Sequence, residues 1–77
     1  MKQSFTQWLL QQAGRDDIVG DLSRDVDRDW EWPEYSDKSL RKLLAYLVGR
    51  GACDGAIAAL RAAWEEWQEV TRGPVLS

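Results

Sequence analysis

Four aspartates, Asp17, Asp21, Asp25 and Asp29, recur at every fourth residue, a spacing that sets them in one column along a helix. Like charges so placed destabilise a helix by about 0.2–0.5 kcal/mol per pair. Two readings follow. The column is an acidic face kept for a basic partner, or a solvated face balanced by Arg24 and Arg28, each three residues after an aspartate. Downstream lies the opposite charge, Lys38, Arg41, Lys42 and Arg50. Arg15 to Glu31 holds three arginines against seven carboxylates, net −4, whereas Asp37 to Arg50 is +3. This segregation predicts protein–protein contacts through an acidic helix-two face and a basic helix-three face. The partner is a different protein or, by weak head-to-tail association, a second copy.

The same residues support other chemistry poorly. Asp25-x-Asp27-x-Asp29 matches the start of a calcium loop, which then needs glycine at position six and glutamate at position twelve. Trp30 and Ser36 stand there instead, and on a helix the carboxylates diverge. No metal or cofactor is expected. The chain has no histidine, the commonest general base near neutral pH. Cys53 has no base or orienting partner visible in the sequence and reads as a small core filler beside a glycine turn. So short a chain also has little room for a cleft, and no catalytic residues are expected: the protein is not an enzyme. Nucleic-acid binding through basic helix three is the alternative. Against it, Trp30 to Tyr35 is longer than a helix-turn-helix turn, and a pI near 4.8 opposes non-specific attraction to phosphate.

These side chains must be positioned by 77 residues with a net charge of −3, which is one domain, residues 1–77. One cysteine permits no intrachain disulfide, which suits a reducing compartment. The opening Met1-Lys2-Gln3-Ser4-Phe5 has no signal-peptide hydrophobic region, and no apolar run approaches the roughly 20 residues that span a bilayer. A cytoplasmic protein without membrane contact is expected.

The periodicity predicts four helices and no strands. Ser4 and Gln7 fit a capping box for helix one, Phe5 to Ala13, with Gly14 as its left-handed end. Asp16 or Asp17 caps helix two, Asp17 to Asp29, whose ridge is Ile18, Leu22, Val26 and Trp30. Gly20 inside it suggests a close helix crossing. At the joint Asp29-Trp30-Glu31-Trp32-Pro33-Glu34-Tyr35-Ser36, Pro33 bars helix and Ser36 serves as the next N-cap. Helix three, Asp37 to Val48, buries Leu40, Leu43, Leu44 and Leu47 and stops at Gly49-Arg50-Gly51. Asp54 caps helix four, Asp54 to Arg72, with Ile57, Leu60, Trp64 and Trp67 down one face. Gly73-Pro74 ends it, and the tail to Ser77 frays. Helix four is the expected spine. Trp8, Trp64 and one of Trp30 or Trp32 are core candidates, with the other joint tryptophan and Trp67 partly exposed.

Ser4-Phe5 followed by Trp8-Leu9-Leu10, then Asp29-Trp30-Glu31-Trp32-Pro33, Tyr46-Leu47 and Leu60-Arg61-Ala62-Ala63-Trp64-Glu65-Glu66-Trp67 together resemble the YozE-like domains, small bacterial proteins with a sterile-alpha-motif-like (SAM-like) fold. The resemblance runs from Ser4 to Trp67 and implies an all-α, compact four-helix SAM-like domain. It implies no activity and carries over no functional residues. This chain departs from the pattern in its glycine-rich Gly49-Arg50-Gly51 turn and in the aspartate load of helix two.

Overall fold

The computed structural model describes residues 3–36 and 38–72, with the side chains of Tyr35 and Arg72 left aside. Its elements are α1 (Phe5–Leu10), α2 (Ile18–Arg28), a 3-10 turn (Glu34–Ser36), α3 (Leu40–Gly49) and α4 (Asp54–Arg72). No strand occurs among the described residues.

Local chemistry accounts for each start. At α1 the Ser4 hydroxyl accepts from the Gln7 N–H while the Gln7 side chain accepts from the Ser4 N–H, both at 3.2 Å. Two orphan donors are thereby satisfied reciprocally. Asp17 caps α2 by accepting from the Gly20 N–H at 2.9 Å. The cap of α3 is Ser39, which accepts from the Lys42 N–H, and not Ser36, which lies in the 3-10 turn. That extra turn delays α3; Asp37, the expected first residue, lies outside the described residues. Asp54 sits within the first turn of α4 rather than ahead of it.

The ends differ from expectation in two places. α1 stops at Leu10, because Gln11 and Gln12 fold into tighter turns and the Gln12 side chain donates to the Trp8 carbonyl at 3.0 Å. Gly14 takes no left-handed conformation; among the described residues only Gly51 does, at φ 75°. Gly51 closes α3 by a Schellman motif, its own N–H donating to Val48 and that of Ala52 to Leu47, each at 3.0 Å. The expected stop at Gly73-Pro74 and the tail to Ser77 lie outside the described residues.

α4 packs against α1, α2 and α3, the role expected of the longest helix. Leu60 and Ala63 are fully buried, with Ala59 and Trp64 beside them; Ile57 and Trp67 are partly buried. The Phe5 ring lies 5.0 Å from that of Trp64 and 5.7 Å from that of Trp67, which joins α1 to α4. On α2, Val19, Leu22, Ser23 and Val26 are buried. The expected ridge fails at both ends, since Ile18 is 49% and Trp30 89% exposed. At the C-terminal end the reason is the stop at Arg28: Asp29 is an extended C-cap, so helical spacing no longer governs Trp30. Trp32 takes the interior place, donating from its indole N–H to the Thr6 hydroxyl at 2.8 Å. Cys53, expected in the core, is exposed; it falls between the α3 stop and α4, outside either buried face.

Gly20 serves a close approach, though not between helices. A Cβ there would lie 2.1 Å from the Arg15 carbonyl oxygen, in the chain entering α2. Alanine in a helix interior normally gains about 1 kcal/mol over glycine, but this contact is with backbone and cannot be relieved by a rotamer. Gly20→Ala is expected to lower the thermal midpoint, with a loss of about 1–3 kcal/mol. A raised midpoint would show that the entry turn moves freely.

Candidate interaction surface

The four aspartates of the column do not act alike. Asp17 and Asp29 are the two caps of α2, and each is held within the molecule. The Asp17 carboxylate accepts from the Gly20 N–H and from Arg15 at 2.7 Å, and these bonds hold it below the usual carboxylate range. Arg15 also reaches Glu66 on α4 at 2.7 Å, and its two carboxylate partners, Glu66 foremost, push its guanidinium above the ordinary arginine value. Asp21 pairs with Arg24 and Asp25 with Arg28, the latter at 3.3 Å, as their spacing predicts. Arg24 donates further to the Ala13 and Arg15 carbonyls and so fastens the α1–α2 turn. What remains open to a partner is the exposed middle of the column, Asp21 and Asp25.

The basic set divides as well. Arg50 turns back to Glu31 at 2.6 Å and to Asp29 at 3.9 Å, and lies 5.6 Å from the centre of the Tyr46 ring. It is thus separated from Lys38, Arg41 and Lys42, which are exposed and form no ion pair among the described residues. Arg41 and Lys42 stand in the first turn of α3, where the helix dipole disfavours cations. Folding gains nothing from their charge there.

Sequence reasoning missed the arrangement at the joint. Asp29 accepts from the Tyr46 hydroxyl at 2.5 Å and from the Glu31 N–H at 3.1 Å. Trp32 meets the Tyr46 ring edge-on at 5.6 Å. Both neighbours of Trp30 are therefore fastened, Asp29 to Tyr46 of α3 and Glu31 to the α3 cap Arg50, and its indole stands out in water. The available signal was the position of Trp30 immediately after the α2 cap, where an i+4 ridge can no longer be extrapolated.

No cluster of three or more metal-ligating side chains occurs among the described residues. Asp25 and Asp29 of the calcium-like spacing turn to Arg28 and to Tyr46, respectively. No helix among the described residues is long and apolar enough to cross a membrane. The acidic outer face of α4, with Glu65 and Glu69, belongs to a single helix and encloses nothing.

The Tyr46–Asp29 bond has a pH signature. Burial first, then the bond to Asp29, pushes the Tyr46 hydroxyl from 10.0 up to about 12. Because the folded value is raised, the stabilisation is full below pH 10 and is lost as pH rises towards 12. Tyr46→Phe should lower stability near neutrality by about 1–2 kcal/mol and remove this alkaline loss. Denaturation across that range would measure it, and parallel curves for wild type and variant would contradict the bond.

The model of the YozE SAM-like fold family matches residues 4–69. That span takes in the α1 capping box, the Asp29–Trp32 joint, Tyr46 and the buried face of α4. No curated protein and no solved structure matches the chain. With its helical architecture, the match makes this all-α chain a member of the YozE SAM-like fold family.

Proposed function

We propose that the domain is a non-catalytic, cytoplasmic protein-interaction module in which Trp30 is the anchor. The acidic flank of α2 and the basic turn Lys38, Arg41 and Lys42 select its partner by charge. The observation that carries this reading is the 89% exposure of Trp30 on a joint otherwise tied down by Asp29 and Glu31. An indole buries ~150–250 Å² when covered, worth about 4–6 kcal/mol before the costs of association. Tryptophan is enriched at such anchors, and a restrained loop reduces the ordering cost. Charges on the rim act on encounter and selection more than on affinity.

A second reading, nucleic-acid binding by α3, is supported by Arg41 and Lys42 in its first turn and Lys38 just ahead of it, which form no ion pair among the described residues. The withdrawal of Arg50 and the net charge of −3 speak against it.

Immobilised wild-type domain and the Trp30→Ala variant, exposed to lysate of the source cell with and without nuclease, would test the proposal. The expected result is a protein retained by the wild type, insensitive to nuclease and lost from the variant, with both domains melting alike. Identical retention by the two domains would refute the anchor. Retention abolished by nuclease would transfer the function to α3 and nucleic acid.

A further inference from the structure

A groove separate from the Trp30 loop runs between α2 and the start of α4. It consists of two adjoining hollows of about 240 Å³ each, which share Leu22, Asp25, Cys53 and Ala56. Ile18 and Asp21 extend the first hollow; Val26 and Asp29 extend the second. The hollows are thus offset by one turn of α2, about 5–6 Å. On the α4 side Gly55, Ala56 and Ala59 offer little beyond Cβ, so another backbone can approach closely. The α2 wall carries Asp21 and Asp25, whose side chains are 70% and 69% exposed.

Each hollow, of about 240 Å³, is of a size to take one aliphatic side chain. Side chains at i and i+4 on a helix have the same spacing as the hollows. The acidic wall calls for cations beside them. Its present partners, Arg24 and Arg28, form pairs of the kind that contribute ~0–1 kcal/mol, and Arg24 is held besides by the Ala13 and Arg15 carbonyls whether or not Asp21 is engaged. The chain's own α3 is a poorer occupant. Its outward Ala45 and Val48 would fill one hollow at most, and two copies of net charge −3 repel.

We propose that this groove docks an amphipathic helix of another protein, one presenting two aliphatic side chains a turn apart with lysine or arginine beside them. The inference rests on reading the domain as an interaction module, and it shares Asp21 and Asp25 with the acidic flank of that reading but not its anchor, Trp30.

Cys53 supplies the test, since it is the sole cysteine, is exposed and lines both hollows. The probe is a synthetic alanine-based helix of about 18 residues, long enough to be helical in water, with leucines at i and i+4 and flanking lysines. At ten times its Kd it is expected to slow Cys53 modification by a thiol reagent about tenfold. A twin with glutamates for lysines should not. Asp21→Lys with Asp25→Lys should abolish protection. Glu65→Lys with Glu69→Lys, an equal change of net charge on the outer face of α4, should retain it; melting curves establish that both variants fold. Absence of protection in the wild type, or equal protection by both peptides, would overturn the proposal. Protection that grows with protein concentration alone would overturn it in favour of a second copy. The Trp30 reading is measured on a different variant and survives any of these failures.

Discussion

The burial of one face of α4 is the constraint on which the rest depends. A chain of this length hides only about 60–65% of its unfolded surface, so one helix has to serve as the common wall for the other three. The alternation on that face makes this feasible. Ala59 and Ala63 let neighbouring helices approach, while Leu60 and Trp64 fill the space so created. Phe5 then sits fully buried against Trp64 and Trp67, and the indole N–H of Trp67, near the edge, donates to the Gln3 carbonyl. The aromatic area is inside because nothing else in so short a chain could supply an equivalent core.

The joint after α2 solves a different problem, namely which of two tryptophans enters. Asp29 ends the helix and ties itself to Tyr46, Arg50 holds Glu31, and buried Pro33 follows the inward Trp32. The polar indole N–H of Trp32 is satisfied by Thr6, so its burial leaves no donor stranded. Trp30, between the two tied residues, is the one left in water. Of the charges that look like a column and a basic run in the sequence, Asp17, Asp29 and Arg50 are consumed in making this joint and the entry to α2. Asp21, Asp25, Lys38, Arg41 and Lys42 are what the fold leaves outward.

Much of the architecture was legible because it rests on local rules. The Ser4–Gln7 capping box, the Asp17 cap, the three-residue pairing of Arg24 and Arg28 and the apolar face of α4 all follow from spacing within a few residues. The failures occur where backbone geometry at the ends of helices decides, and side-chain periodicity does not. Gly20 answers to the Arg15 carbonyl, a backbone approach that no pattern announces. The cap of α3 moved from Ser36 to Ser39 because a 3-10 turn intervenes. Cys53 was placed inside by its residue type, although it lies between two helical faces. Of the candidate site, the residue types were readable and their pairing only in part; the loss of Arg50 to Asp29 and Glu31 required the structure.

The fold holds Trp30 in water while enclosing Trp8, Trp32 and Trp64. Acrylamide quenching of tryptophan fluorescence, compared between the wild type and Trp30→Phe, tests it most directly. The readily quenched, red-shifted part of the emission is expected to disappear in the variant, leaving a blue-shifted and protected spectrum. Unchanged quenching would show that another tryptophan is the exposed one and that Trp30 is covered.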